Sequence, residues 1–399
     1  MEKKRQFGKP LFVWMFVLLL GGFGAWNLIK EQNAYSMSER RPLAQKPKIT
    51  WESLLDGTFM ADFEAFTQDQ FAGRETFRSI KAAAELYGFQ KLDNNGIYEA
   101  EGYISAVQYP MNEDSIVNAA EKFRQIKEQY FTEENHAYLA VVPDKNYFLA
   151  EKNGYLSMNY DQFFDQMEEE TPFLTFLDLR DYLELEDYYR TDTHWRQEKI
   201  EDVAEYLADE MKQNPTVEQG NLLEESDIAV ERSNLSRNES GSATEPQDAV
   251  LEPVLVNDSF YGVYAGQFAL PVQPDQLYYL DSPLLQQCVV YDYQNDREIN
   301  VYNLDLASGK DPYQMYLSGD ISLLTIENPK GQTGKELILF RDSFGSSLAP
   351  LLMEYYDKIT LVDIRYLPSG RLDKYIEFTD QDVLFLYSTL VLNHSDTLR

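Results

Sequence analysis

Apolar residues crowd the start of the chain and then recur in two rhythms. Leu11 to Ile29 is an almost unbroken apolar run of about nineteen residues. That is enough, as a helix, to cross the ~30 Å hydrocarbon core of a bilayer. Lys3, Lys4, Arg5 and Lys9 precede it against the single acid Glu2. Basic flanks stay on the cytoplasmic side. Residues 1–10 are therefore expected to be a cytoplasmic tail, 11–29 a single-pass anchor in the cell membrane, and 30–399 extracellular. A cleaved signal peptide is the rival reading, but the run is long for one and no A-x-A site follows it.

Beyond a polar stretch at 30–50, read as a tether, Phe63, Phe66, Phe71, Phe77, Ile80 and Leu86 give residues 51–88 a helical period. Short strands are expected around Gly102, between 97 and 108. Helical segments at 114–130, 160–169, 196–212 and 346–356 then alternate with short apolar runs at 138–142, 173–179, 336–340, 359–364 and 382–387. Buried runs of four to eight residues alternating with helices predict an α/β fold, a parallel sheet covered on both faces.

Two segments break the alternation. Residues 214–250 hold eight acids, two arginines and no aromatic residue. This composition reads as an acidic, flexible linker. Residues 251–329 carry Tyr, Val, Leu and Gly in short runs and read as a β-rich insertion. The core would then come in two parts, 51–213 and 330–399.

Composition narrows the chemistry. The 399 residues carry a net charge of −32, so a phosphate backbone would repel the chain and no nucleic-acid partner is expected. Aromatic residues make up 14 %, ample material for a core. There is one cysteine, Cys288, and only three histidines, His136, His194 and His394. A disulfide framework and a Cys- or His-rich metal centre are thereby ruled out, and neither metal nor cofactor is expected.

In open α/β sheets functional side chains gather at the carboxyl ends of the strands. Tyr188-Tyr189-Arg190-Thr191-Asp192-Thr193-His194-Trp195 follows one predicted strand, and Arg341-Asp342-Ser343-Phe344-Gly345 follows another. A serine hydroxyl needs a base, and histidine titrates near neutrality. Asp192 can fix the tautomer of His194. Backbone donors at the helix start after Ser343, with Gly319 or Asn393, are candidates for an oxyanion site. Each residue also has a structural alternative. Asp342, Ser343 or Asp192 can be helix caps, His194 a hydrogen-bonded core histidine, and Asp144 of Pro143-Asp144-Lys145 a turn residue. Arg341 stands where a G-x-S-x-G elbow has its first glycine, which disfavours an ordinary α/β-hydrolase.

Taken together, these segments resemble one family. Asp192-Thr193-His194-Trp195 resembles the signature of the DHHW family of bacterial surface proteins, with Thr193 in place of the first histidine. Supporting segments are Glu39-Arg40-Arg41-Pro42-Leu43-Ala44, Asp69-Gln70-Phe71-Ala72-Gly73-Arg74, Val142-Pro143-Asp144-Lys145, Phe260-Tyr261-Gly262, Ser318-Gly319-Asp320 and Val362-Asp363-Ile364-Arg365-Tyr366. That family is similar to the SGNH-hydrolase-like proteins that O-acetylate exopolysaccharides such as alginate, in which the Asp-x-His pair precedes the serine. The resemblance implies a flavodoxin-like three-layer α/β/α core in permuted motif order. It also implies a Ser343, His194, Asp192 triad with Tyr188 and Arg190 beside it and Arg341 flanking the nucleophile. Ser388 stands where relatives often carry Asn.

The function expected is a serine-dependent polysaccharide O-acetyltransferase or acetylesterase in the cell envelope. A transferase there needs an acetyl donor from a membrane partner, such as a multi-span acyltransferase, because acetyl-CoA is cytoplasmic. The alternative is a catalytically inactive glycan-binding or envelope-assembly protein on the same fold.

Overall fold

The structure is a computed structural model and describes residues 8–213 and 250–399. The expected linker 214–250 therefore lies outside the described residues except for Val250, as do residues 1–7 of the tail. The chain divides into two compact units, one of residues 1–106 with 261–273 and the other of 107–260 with 274–399.

The first unit opens with the helix Gly8–Ile29. Among the described residues it is the one helix long and apolar enough to cross a membrane, over Pro10–Asn27. Residues 30–50, expected to be a tether, are pinned in place. Tyr35–Ser36 pairs with Arg41–Pro42, and Arg41 makes a two-pronged ion pair with Asp69 at 2.6 and 2.9 Å. The helical period of 51–88 becomes three helices, Trp51–Leu55, Thr58–Asp69 and Arg74–Ala83, with a wider final turn at Ala84–Gly88. The hairpin Ile97–Ala100/Tyr103–Ala106 turns through Glu101 and Gly102, both at positive φ, as a tight two-residue hairpin turn requires. Tyr264 and Phe268 of the helix Val263–Phe268 pack on it.

The second unit is built on an eight-stranded sheet. Its parallel part runs Lys358–Val362, Glu336–Arg341, Asp382–Ser388, Ala137–Val142, Thr175–Asp178. Starting the count at Glu336–Arg341 and continuing through the C-terminus into Ala137, this is the 2-1-3-4-5 order of flavodoxin-like sheets. The fold is thus a flavodoxin-like order entered part-way round, which places the Asp-x-His loop before the serine in sequence.

Alternate residues of each strand feed opposite faces. Tyr138, Ala140, Leu337, Leu339, Leu384 and Leu386 enter one core with Val203, Leu207 and Leu348. Leu139, Val141, Ile338, Phe340, Val383 and Phe385 enter the other with Phe123, Phe163 and Phe164. The helices Glu113–Tyr130 and Tyr160–Glu170 cover that second face.

The structure departs from the sequence expectations in four places. The sheet is mixed, not wholly parallel: Leu323–Glu327, Val289–Asp292 and Arg297–Ile299 extend it antiparallel beyond Lys358–Val362. Part of 251–329 therefore belongs to the core sheet. Another part forms the hairpin Glu252–Phe260/Asp275–Asp281, and 261–273 joins the first unit. Local pattern could not separate these, because short aromatic-rich strands look alike whichever sheet they join. The sheet-bearing unit begins at Val107 and not at residue 51. Residues 346–356 form one short α-turn, Gly345–Leu348, and a 3₁₀ stretch, Ala349–Glu354, where Pro350 lacks the N–H that an α-helix would use.

Candidate active site

The Glu336–Arg341 strand ends in a turn whose geometry is fixed by Asp342. Its Oδ1 accepts from the Phe344 N–H at 3.0 Å, and its Oδ2 from the Ser388 N–H and hydroxyl at 2.8 and 2.7 Å. Asp342 thus closes the turn and joins two neighbouring strand ends, neither it nor Ser343 caps the Gly345–Leu348 helix, and Ser343 is presented toward the loop opposite. Gly345 is required here, since a Cβ at this position would lie 2.7 Å from Arg341 Cβ.

His194 follows the strand at the sheet's edge, three strand intervals from Glu336–Arg341, a distance of roughly 14 Å at ~4.8 Å per interval. The loop from Leu179 to Trp195 crosses that gap and is held at several points. Tyr188 donates its hydroxyl to Pro143 O. Lys145 Nζ donates to the carbonyls of Tyr189 and Arg190 at 2.8 and 3.1 Å. Asp275, from the hairpin, accepts from the backbone N–H groups of Arg190 and Thr191 and from the Thr191 hydroxyl. Trp195 Nε1 reaches Phe344 O at 3.2 Å and Ser347 Oγ at 2.8 Å. The two halves of the site are therefore stitched directly together.

His194 Nδ1 lies 2.6 Å from Asp192 Oδ1, and its Nε2 lies 2.7 Å from Ser343 Oγ. The same Asp192 oxygen accepts from the His194 backbone N–H at 3.2 Å. Asp192 is fully buried, and the His194 side chain retains 12 % exposure. The ring of Tyr313 lies flat on the imidazole, centroids 3.7 Å apart and planes 8° from parallel. Burial pushes the Tyr313 phenol well above its ordinary range, so it stays neutral. Its hydroxyl shares a 2.8 Å hydrogen bond with Ser347 Oγ.

The other candidates occupy different places. Arg341 is fully buried; its Nη2 donates to Ile321 O, and Nη1 sits 3.7 Å from Asp363 Oδ2, which Arg365 also pairs. Its Nε has no partner among the described residues. The Tyr188 hydroxyl is occupied by Pro143, and Arg190 is exposed. The Gly319 N–H is engaged by Tyr316 O. Asn393 is tied to the 110–112 loop: its Oδ1 accepts from Asn112 N–H and its Nδ2 donates to Pro110 O. Asp144 caps the helix Lys145–Asn153. His136 faces Asp382, and His394 is exposed. Burial raises the Cys288 thiol to about 12, which leaves it a poor nucleophile.

Sequence reasoning did not single out Tyr313, Ser347 or Asp275. Tyr313 lies 119 residues from His194 in the chain and is one of 28 tyrosines, with no periodicity to mark it. Lys145 was visible only as part of a motif.

Residues 103–245 match the family described as the SGNH hydrolase-like domain of acetyltransferase AlgX. No curated protein matches the chain by sequence. Among solved structures, a DHHW family protein from Eubacterium siraeum is similar at 20 % identity and a TM-score of 0.56, over 76 % of this chain and 94 % of that one. PatB1 of Bacillus cereus, solved with a sulfonyl adduct, is similar at 16 % identity and a TM-score of 0.52, over 74 % and 95 %. The O-acetyltransferase domain of Pseudomonas putida AlgJ is more distant, at 15 % identity and a TM-score of 0.40, over 75 % and 92 %. The chain thus resembles an SGNH-hydrolase-like domain in the sequence of residues 103–245 and a DHHW family protein in fold.

Proposed function

We propose that this SGNH-hydrolase-like chain is a membrane-anchored, extracytoplasmic acyl-ester enzyme that transfers acetyl groups to hydroxyls of a cell-surface polysaccharide. The observation that carries the proposal is the continuous relay Asp192–His194–Ser343, with contacts of 2.6 and 2.7 Å. Its support is the match of residues 103–245 to an acetyltransferase domain.

In this reading Ser343 Oγ attacks the acetyl carbonyl carbon while its proton passes to His194 Nε2. The tetrahedral intermediate collapses, and the imidazolium returns that proton to the departing oxygen. An acetyl–Ser343 ester remains. A sugar hydroxyl then gives its proton to His194 and attacks the ester, regenerating the serine; water in its place gives hydrolysis. Asp192 holds Nδ1–H throughout and stabilises the imidazolium. In this reading the reaction lies outside the cytoplasm, which the basic residues ahead of the anchor support, and the acetyl donor would come from a membrane partner such as a multi-span acyltransferase.

The test uses the full chain in detergent or nanodiscs beside its Ser343→Ala variant. Each is treated with an activated acetyl ester and, separately, with a sulfonyl fluoride, and intact mass is recorded with released leaving group. One acetyl or sulfonyl adduct on the parent chain and none on the variant is the expected result. Equal inertness of two correctly folded proteins toward both reagents would reject the nucleophile and favour glycan binding without catalysis.

A further inference from the structure

The helices after the anchor carry an apolar face that the described residues leave largely uncovered. No residue of Trp51–Leu55 or Thr58–Asp69 is buried, although these helices carry Trp51, Leu54, Leu55, Phe59, Met60, Phe63 and Phe66. On Thr58–Asp69 the rings of Phe59, Phe63 and Phe66 form one stripe, with successive centroids 5.8 and 6.2 Å apart. Met60 is 64 % exposed, Phe63 42 % and Phe77 49 %.

The segment that follows the Thr58–Asp69 helix is tied to the Gly8–Ile29 helix. Phe23 of the Gly8–Ile29 helix packs on Phe71 and Phe77, centroids 5.0 and 6.0 Å away, and those two rings meet at 5.4 Å. One turn further on, Asn27 Oδ1 accepts from the Ala72 N–H at 2.8 Å. Phe23 stands four residues inside the end of the Pro10–Asn27 span, which at ~1.5 Å per residue is about 6 Å of depth. Phe71 and Phe77 lie within 5.0 and 6.0 Å of that ring. Helices lying in a bilayer surface bury their apolar faces by ~5–10 Å, the same zone.

We infer that Trp51–Ala83 is a membrane-seated platform, its apolar face resting in the lipid headgroup and acyl boundary beside the anchor. The occupant of the face is lipid. The inference rests on the reading of Gly8–Ile29 as an anchor. The attraction is apolar and not electrostatic, because residues 51–70 carry five acids (Glu52, Asp56, Asp62, Glu64, Asp69) and no Lys or Arg. Arg74, Arg78 and Lys81 follow on the next helix. Arg74 and Arg78 are engaged by Glu39 and Glu75.

The test places one fluorescent NBD label at a time on the full chain with Cys288→Ser, at Phe63→Cys, Met60→Cys, Ala65→Cys or Phe16→Cys. Each protein is reconstituted in phosphatidylcholine vesicles, with and without phosphatidylglycerol, carrying a nitroxide shallow or deep on the acyl chain. The platform predicts a blue-shifted label at positions 63 and 60, quenched at least two-fold by the shallow nitroxide, and no quenching at position 65, on the opposite face of the helix. It also predicts no gain from the anionic lipid. Deep quenching at position 16 with none at 63 and 60 overturns the platform and leaves the anchor standing. A blue shift at 63 without lipid quenching shows that a protein, a second copy or a partner, covers the face, and also overturns it. No quenching at position 16 rejects the anchor and the platform with it.

Discussion

Tyr313 lies face to face with His194, 3.7 Å away and within 8° of parallel. The stack fixes the plane in which the imidazole can turn, so Nδ1 meets Asp192 and Nε2 meets Ser343 together. Replacing Tyr313 by Leu removes the stack, and a ring pair of this kind contributes ~0.5–1.5 kcal/mol beyond burial. The expected result is a fall in kcat of about two- to tenfold with a displaced pH profile of kcat/KM. Tyr313→Phe keeps the ring and should keep the profile. Identical profiles for the parent chain and the leucine variant would remove Tyr313 from the positioning of His194.

Asp192 accepts from both the ring and the backbone N–H of His194. Asp192→Asn preserves shape but offers an amide that favours the wrong imidazole tautomer. Turnover should fall by a factor on the order of 10³–10⁴, as it does for the equivalent change in a serine protease. Circular dichroism should remain that of the parent chain. A fall of less than tenfold would mean that Asp192 does not orient the base.

Asp342 is needed for the shape of the site and not for the reaction itself. Asp342→Ala leaves the Phe344 N–H and both Ser388 donors without their acceptor in a buried place. At ~1–3 kcal/mol for a buried polar group left unsatisfied, a loss of about 3 kcal/mol or more is expected in urea unfolding. A change under about 1 kcal/mol would show that water or a shifted turn replaces the carboxylate.

Lys145 is buried at the bridge between the Ala137–Val142 strand and the loop that carries Asp192 and His194. Burial pushes its ammonium down to about 7 from an ordinary 10.5, against the attraction of Asp275, Asp192 and Asp144. Between those two values the unfolded chain holds a proton that the folded chain has released, so folding stability rises with pH across the window. The stability of the parent chain relative to Lys145→Met should therefore increase from pH 7 to pH 10 in parallel urea titrations. A difference that stays flat with pH would mean that Lys145 remains charged in the fold. Loss of its two carbonyl contacts should also lower activity, by loosening the loop that carries Asp192.

Local sequence carried a good deal of this protein. The runs 138–142, 336–340 and 382–387 are strands because continuous apolar residues suit a sheet covered on both faces. Asp192, His194 and Ser343 could be picked out as candidates because each lies beyond a predicted strand, where an open sheet leaves side chains uncovered. The long apolar helix Gly8–Ile29 was legible from length and hydropathy alone. These features depend on neighbours in the chain, and a single sequence displays them.

Tertiary structure decided the rest. Nothing local distinguishes Leu323–Glu327, which joins the core sheet, from Asp275–Asp281, which pairs in a separate hairpin. Strand membership is set by which edge is free to hydrogen-bond, a property of the assembled sheet. The same holds for Tyr313, whose place over His194 follows from the path of the chain between distant strands. Asp342 and Ser343 both read as cap candidates, and neither caps the short helix: Ser388, brought alongside by its strand, donates to Asp342, and Ser343 meets His194. Residue types and short spacings determined the chemistry available here; long-range packing decided which side chain faces which.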